Sequence, residues 1–184
     1  MITNLPNYLT FFRIAVIPIV VALFYTENEV CYIIAGCLFA LACITDFLDG
    51  YLARTYDQTT TLGSFLDPIA DKLLVASTLL LLVGFGRING LSLIPALVIL
   101  CREILVSGLR EFLAQAEESM PVSYLAKWKT ALQMISIGLL IGFGPTDQIL
   151  SLFSLGIVGL WFAAILTLIT GYDYLRKSYG TLNQ

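Results

Sequence analysis

Residues 46–71 read DFLDGYLARTYDQTTTLGSFLDPIAD and contain five aspartates, four of which lie among apolar neighbours in two adjacent hydrophobic segments. The four are Asp46, Asp49, Asp67 and Asp71. Ionised side chains at membrane depth are costly in free energy, so a cluster of this size predicts that a bound cation stabilises it. The stretch therefore indicates a binding site inside a membrane protein.

The rest of the chain has the composition of an integral membrane protein. Of its 184 residues 58% are hydrophobic and only 12% are charged, which is too apolar for an ordinary soluble domain. A helix needs roughly 20 largely apolar residues to cross a bilayer. The sequence predicts about six such spans, near residues 8–25, 31–54, 62–84, 91–113, 122–143 and 148–172. The predicted fold is all-α, with about six transmembrane helices in one bundle and a single membrane domain over residues 1–184.

The basic residues predict how the chain is oriented. If the N-terminus is cytoplasmic, then Arg54, Arg110 and Arg176 fall at or near cytoplasmic helix ends, and among the lysines and arginines only Arg87 falls in an opposite loop. Both termini and the acidic stretch are therefore expected to face the cytoplasm.

Helical spacing turns the acidic stretch into a candidate metal site. Asp46 and Asp49 are three residues apart, and Asp67 and Asp71 are four apart, so each pair shares one helix face. A short turn between the two helices lets the faces meet. The sequence has no histidine, which excludes histidine ligands and histidine-based acid–base catalysis. A group of hard oxygen ligands suits Mg²⁺ or Mn²⁺, and two ions about 4 Å apart could share it.

Small residues lie beside the carboxylates. Gly50 and Ala53 share the face of Asp46 and Asp49, and Gly63 lies one turn before Asp67. Without bulky side chains there, a substrate can approach the helix backbone closely.

The carboxylates could instead belong to a buried, neutral Asp–Arg network or to an ion or proton site in a transporter. Charge counting argues against both. Four acids near only Arg54 and Lys72 leave excess negative charge, which a bound cation would satisfy.

The full pattern D-x-x-D-G-x-x-A-R, eight residues, G-x-x-x-D-x-x-x-D resembles the signature of the CDP-alcohol phosphotransferases, and every fixed position is matched. These are integral membrane enzymes that build phospholipid head groups. The resemblance implies a six-helix bundle that forms a homodimer, a lipid bilayer as its surroundings, and no nucleic-acid partner.

The resemblance also implies a role for each residue of the motif. Asp46, Asp49 and Asp67 would be the principal ligands of two metal ions. Asp71 would act as general base toward the attacking hydroxyl and contact the second ion. The implied contacts of the substrate CDP-diacylglycerol are Asn7, Thr10, Asp46, Gly50, Ala53, Arg54, Thr60 and Gly63.

Further likeness points to bacterial family members whose acceptor is sn-glycerol 3-phosphate. It is carried by residues 4–10 with Arg13, by residues 65–72, by the pairs at 102–103 and 109–111, and by residues 127–130. It implies transfer of a phosphatidyl group from CDP-diacylglycerol to sn-glycerol 3-phosphate in the bacterial cytoplasmic (inner) membrane, giving phosphatidylglycerophosphate and CMP.

A phosphate-bearing acceptor needs cations near the acidic cluster, and the sequence supplies candidates. Arg102 and Arg110 are eight residues apart, about two helical turns on one face. Lys127 and Lys129 open the next helix at the cytoplasmic side. These four residues are predicted to bind the glycerol phosphate, although simple positive-inside anchoring also explains the two lysines.

Some alternatives stay open on the sequence alone. The chain could use a different acceptor within the same family, act as an ion-coupled transporter, or serve a purely structural purpose in the membrane. Near the C-terminus Tyr172, Tyr174 and Tyr179 are interpreted as an interfacial anchor rather than as part of a site.

Overall fold

A computed structural model of the protein describes residues 5–56, 61–115, 124–145 and 151–182. These ranges contain six α-helices and no strand. The helices are α1 Leu5–Phe24, α2 Glu29–Tyr56, α3 Thr61–Gly84, α4 Leu93–Gln115, α5 Tyr124–Gly142 and α6 Leu152–Leu182. A short 3₁₀ turn, Gly90–Ser92, leads into α4. The predicted all-α fold with six helices is confirmed.

The helix ends lie close to the predicted ones, with one exception. The apolar run predicts that the last helix ends at residue 172, whereas α6 continues to Leu182. Backbone hydrogen bonds in a helix are internal, so the helix does not need lipid around it. Polar residues such as Lys177 and Ser178 therefore extend the same helix beyond its apolar segment.

The distribution of side chains is that of a membrane protein. Within the described ranges, three helical segments are long and apolar enough to cross a bilayer, namely Glu29–Asp46, Gly90–Leu113 and Leu152–Arg176, and Tyr8–Phe24 is a shorter apolar helix. Many large apolar side chains lie on the outside, among them Leu80, while Arg13 and Lys129 are buried. This is the reverse of a soluble protein, in which charged side chains are seldom fully buried. The chain is an all-α membrane protein.

The six helices pack in a closed ring. Around it the order is α1, α2, α5, α6, α4 and α3, and α3 returns to α1. The junction between α3 and α4 is the most sparsely packed contact of the ring. Because the helices do not meet closely there, this junction leaves room for a cavity.

Glycines allow the tightest approaches inside the ring. A Cβ on Gly36 of α2 would lie 3.1 Å from the Cα of Gly142 in α5. A Cβ on Gly159 of α6 would collide with the Oγ of Ser136 in α5. Small residues at such positions let membrane helices pack at short distance, so these glycines fix α5 against its two neighbours.

Arg87, which precedes α4, caps the end of α5. Its Nη1 donates hydrogen bonds to the carbonyl oxygens of Leu140, Ile141 and Phe143 at 2.9, 3.0 and 2.8 Å. Its Cζ lies 3.9 Å from the ring centre of Tyr32. The last carbonyl groups of a helix have no partner within the helix, and a cation there also complements the helix dipole.

We expect the substitution Arg87→Met to destabilise the fold by about 2–4 kcal/mol, because it removes these hydrogen bonds and leaves the carbonyl groups poorly solvated. Thermal unfolding of the protein in detergent measures the effect. The matched control is Arg176→Met, since Arg176 is exposed. Equal melting temperatures for the two variants would contradict the capping role.

Candidate active site

A cavity of about 700 Å³ is lined by residues of α2, α3 and α4. Its wall carries an unusual number of charges for a membrane protein. The charged residues of the wall are Asp46, Asp67, Asp71, Lys72, Arg102, Glu103, Arg110 and Glu111. The side formed by α2 and α3 carries Asp46, Asp67 and Asp71 together with Lys72, and the side formed by α4 carries Arg102 and Arg110 together with Glu103 and Glu111. The cavity is therefore the natural candidate for the functional site.

The acidic wall gathers three of the four carboxylates that the sequence analysis singled out. Asp46 comes from α2, and Asp67 and Asp71 come from successive turns of α3. The side chain of Asp49 lies outside the described residues. Lys72 donates from its Nζ to the carbonyl oxygen of Pro68 at 2.8 Å, within its own helix. It does not form an ion pair with the carboxylates in the described part of the chain.

Helix α1 braces this acidic wall with Arg13, which is only 1% exposed. One Nη of Arg13 donates to Asp46, and the other donates to Asp67 at 3.2 Å. The hydroxyl of Thr10 also donates to Asp67. The guanidinium thus holds together two carboxylates from different helices. The sequence analysis used Arg13 only as part of a resemblance, although an arginine one turn after Thr10 inside an apolar run was a usable signal.

Several predicted contacts of the nucleotide cannot be placed. The side chains of Asn7, Ala53 and Arg54 lie outside the described residues, and so does the whole of Thr60. Gly50, which has no side chain, lies within α2. Gly63 is described and is buried in α3, one turn before Asp67.

The donors on the acidic wall fit a hard divalent cation. Asp46 and Asp67 are held side by side by Arg13, and Asp71 faces the same cavity. Among the residues described, no three acidic or cysteine side chains lie close enough to share one ion. Carboxylate oxygens without histidine or thiolate are the ligands that Mg²⁺ and Mn²⁺ prefer. The chemistry of the wall therefore agrees with the predicted metals.

The opposite wall, called the basic wall below, presents Arg102 and Arg110 of α4, with Glu103 and Glu111 beside them. Nη2 of Arg102 donates to Oγ1 of Thr170 at 3.2 Å, and Nη1 lies 3.5 Å from a carboxylate oxygen of Glu103. Nη2 of Arg110 donates to the hydroxyl of Tyr174 at 2.7 Å. Both guanidinium groups line the cavity that the three carboxylates also line. Arg102 and Arg110 therefore share a cavity with the acidic cluster, and their binding of an acceptor phosphate stays a prediction.

The two predicted lysines lie elsewhere. Lys129 is buried and donates to Glu103, so it lies behind the wall. Lys127 is exposed at the start of α5. Neither belongs to the cavity wall as far as the structure describes it. Glu103, which no part of the sequence analysis assigned to the site, connects Lys129 to Arg102.

The position of Tyr174 differs from the interfacial anchor that the sequence suggested. The sequence pattern groups it with Tyr172 and Tyr179 as an interfacial anchor, but its side chain is only 5% exposed and packs against the basic wall. The anchor interpretation is wrong for Tyr174, because this residue lies on the face of α6 that packs against α4, where it contacts Arg110. Tyr172 is exposed, and the side chain of Tyr179 lies outside the described residues.

The arrangement can bind two kinds of charge at once. Carboxylates on one wall can hold divalent cations and, through them, a pyrophosphate. Guanidinium groups on the other wall can hold a phosphate with paired hydrogen bonds. One cavity therefore has room and charge for a nucleotide-linked donor and an anionic acceptor.

Comparison with known proteins gives a matching family and several similar relatives. Residues 3–169 match the family model described as CDP-alcohol phosphatidyltransferase. A protein of Rickettsia typhi is 50% identical over 178 residues, which are 96% of this chain and 98% of the relative. Proteins of Pseudomonas fluorescens and Haemophilus influenzae are 43% and 41% identical, covering 97% of this chain and 92% and 95% of the relatives. All three relatives carry the name CDP-diacylglycerol–glycerol-3-phosphate 3-phosphatidyltransferase.

Proposed function

This chain belongs to the CDP-alcohol phosphatidyltransferase family, and we propose that it transfers the phosphatidyl group of CDP-diacylglycerol to sn-glycerol 3-phosphate. The products are phosphatidylglycerophosphate and CMP, as expected of a bacterial phosphatidylglycerophosphate synthase. The observation that carries the proposal is the single cavity with carboxylates on one wall and arginines on the other. The names of the close relatives agree with both substrates.

The acidic wall is assigned to the donor substrate. The family is generally dependent on divalent metal ions. Asp46, Asp49 and Asp67 would hold two ions, Mg²⁺ or Mn²⁺, with Asp71 contacting the second. Bound there, the ions supply positive charge to the pyrophosphate of CDP-diacylglycerol and to the departing CMP. Arg13 keeps Asp46 and Asp67 at a fixed separation, so the ligands are oriented before substrate arrives.

The proton transfer is assigned to Asp71. Its carboxylate would accept the proton of the acceptor hydroxyl while that oxygen attacks the β-phosphorus of the donor. A new P–O bond forms to glycerol, and the bond from the β-phosphorus to the oxygen of CMP breaks. Asp71 suits this task because it faces the cavity one turn after Asp67, next to the proposed ligands.

The basic wall is assigned to the acceptor. Arg102 and Arg110 would bind the phosphate of sn-glycerol 3-phosphate and direct its free hydroxyl toward Asp71. Lys129 would contribute by neutralising Glu103, which leaves more of the charge of Arg102 for the ligand. Lys127, exposed at the start of α5, remains a predicted contact of the acceptor.

The remaining donor contacts are carried over from the family motif. They stay predictions, and the residues are Asn7, Thr10, Gly50, Ala53, Arg54, Thr60 and Gly63. Thr10 has the strongest structural support, because its hydroxyl already bonds to Asp67.

We place the protein in the bacterial cytoplasmic membrane, with the cavity and both termini on the cytoplasmic side, and we propose that it acts as a homodimer. The cavity lies toward the end of the bundle where α2 and α4 finish and α3 begins. Arg110 and Arg176 also lie toward that end, as the positive-inside rule requires of a cytoplasmic face.

The test of the function is product formation by the purified protein. CDP-diacylglycerol is offered with sn-glycerol 3-phosphate, inositol or serine side by side, and CMP release and lipid products are measured. We expect CMP and phosphatidylglycerophosphate with the first acceptor only. Efficient use of inositol or serine would assign the chain to another acceptor within the family, and no CMP with any acceptor would contradict the transferase assignment.

Arg110→Ala should raise the KM for sn-glycerol 3-phosphate roughly ten- to a hundredfold, because removal of one charge-assisted contact costs about 1.5–3 kcal/mol. The KM for CDP-diacylglycerol should barely change. Arg110→Lys should recover only part of the loss, since an ammonium cannot reproduce a planar pair of donors. Steady-state kinetics measure both constants, with the exposed Arg176→Ala as matched control. An unchanged acceptor KM in Arg110→Ala would remove this residue from the phosphate site.

A further inference from the structure

We propose that Tyr174 of α6 is a positioning residue that aims Arg110 at the phosphate of the acceptor. The inference rests on the proposed function, because the phosphate is that of sn-glycerol 3-phosphate. It adds a residue outside the acidic motif and on a different helix. In this role Tyr174 contacts the arginine and acts on the substrate only through it.

The contact between Tyr174 and Arg110 fixes a side chain that would otherwise be free to rotate. The Tyr174 hydroxyl accepts the hydrogen bond from Nη2 of Arg110 at 2.7 Å, and Cζ of Arg110 lies 5.0 Å from the centre of the tyrosine ring. Tyr174 is buried, whereas Arg110 is exposed. An exposed arginine has many rotamers, and losing that freedom on binding a ligand weakens affinity. Because the buried Tyr174 already fixes the guanidinium group, Arg110 loses less rotational freedom when the ligand binds.

Tyrosine suits this position because it is a neutral hydrogen-bond acceptor. Arg102 on the same wall is near the carboxylate of Glu103, so part of its charge is compensated. Arg110 has Tyr174 as its one hydrogen-bond partner and no acidic ion-pair partner within the described ranges. A carboxylate in place of the hydroxyl would also orient Arg110, but it would cancel the charge that a dianionic phosphate needs. The hydroxyl fixes the direction of the guanidinium and leaves its charge available.

The same turn of α6 also orients Arg102. Thr170, one turn before Tyr174, accepts the hydrogen bond from Nη2 of Arg102 at 3.2 Å. Gly171 leaves space for the stem of Arg102, because a Cβ there would lie 3.2 Å from Cγ and 3.6 Å from Nε of that arginine. The Nε of Arg102 is buried and has no hydrogen-bond partner in the described structure. The α6 turn of Thr170, Gly171 and Tyr174 thus directs two guanidinium groups into one cavity.

The two helices therefore have different roles in binding the acceptor. Helix α4 supplies the cations that recognise the phosphate, and α6 sets where those cations point. If this is correct, a change at Tyr174 affects the acceptor far more than the donor, because the donor lies on the opposite wall. The effect also depends on the presence of Arg110.

The first experiment is Tyr174→Phe, which keeps the ring and removes only the hydroxyl. We expect the KM for sn-glycerol 3-phosphate to rise about three- to tenfold, with a smaller change in kcat and an unchanged KM for CDP-diacylglycerol. Tyr172→Phe is the matched control, since Tyr172 is 66% exposed and two residues away. A purely structural role would instead lower kcat and the melting temperature without separating the two KM values, and that result would overturn the proposal.

The second experiment is a double-mutant cycle with Arg110→Ala. If Tyr174 acts through Arg110, then Tyr174→Phe adds no further rise in acceptor KM once Arg110 is absent. Additive effects, or a wild-type KM in Tyr174→Phe alone, would overturn the inference. Different results would refute the proposed function and the role of Tyr174. A wild type that does not use sn-glycerol 3-phosphate refutes both, whereas a wild type that uses it, together with a normal Tyr174→Phe, refutes only the role of Tyr174.

Discussion

Chelation of divalent metal ions is expected to abolish turnover of the purified protein, and millimolar Mg²⁺ or Mn²⁺ to restore it. The cavity wall carries Asp46, Asp67 and Asp71, and Arg13 balances only part of their charge. Without added cations these carboxylates repel the pyrophosphate of CDP-diacylglycerol at short range in a poorly solvated site. Loss of the ions should therefore impair both donor binding and departure of CMP.

The measurement is CMP release after exhaustive treatment with a chelator, followed by titration with each metal. A direct binding titration on the same samples gives the number of ions. Asp46→Asn should require a higher metal concentration for recovery, and the exposed Glu27→Gln, at the other end of the bundle, should not. Full activity in chelator would rule out the metal-dependent mechanism.

Asp71→Asn is expected to lower turnover by about 10² or more. The amide keeps the size of the side chain and most of its contacts, but it cannot accept the proton of the acceptor hydroxyl at neutral pH. CDP-diacylglycerol should still bind, because Asp46 and Asp67 remain in place with Arg13.

Single-turnover kinetics with saturating donor separate this loss in chemistry from a loss in binding. Asp173→Asn, an exposed substitution of the same kind on α6, is the control and should be normal. Near-normal turnover in Asp71→Asn would move the role of general base to another residue. Glu103 and Glu111 are the other acids of the wall, outside the acidic motif, and are the first to test in that event.

Local properties of the sequence were sufficient for the helices. Whether a segment forms a membrane helix depends mainly on its own run of apolar residues and on the breakers at its ends, so the order and approximate limits of six helices could be predicted. The only large discrepancy, the extension of α6 to Leu182, arose because apolarity marks where a helix meets lipid, not where it stops.

The acidic face was also predictable, for a similar reason. Residues three or four apart share a helix face whatever the rest of the chain does, so Asp67 and Asp71 could be placed together in advance. Only four residues separate the end of α2 at Tyr56 from the start of α3 at Thr61, which restricted where Asp46 could lie relative to them. All three described carboxylates do line one cavity.

Sequence reasoning did not assign the contacts between helices that are distant in the chain. Arg13 lies 33 residues from Asp46 and 54 from Asp67, and Arg110 lies 64 residues from Tyr174. The burial of Lys129 against Glu103 is another such contact, over 26 residues. In each case the sequence showed a polar residue in or near an apolar run and suggested no partner for it.

The sequence by itself therefore determined which segments are helical and which face of α3 is acidic, because both follow from residues close together in the chain. Only the tertiary structure decided that α1 supports the acidic wall and that α6 supports the basic one. The order of the helices around the ring and the rotation of each about its axis determine those partners. Both depend on how all six side-chain surfaces pack at once, including close approaches such as Gly36 against Gly142, and no local pattern encodes that choice.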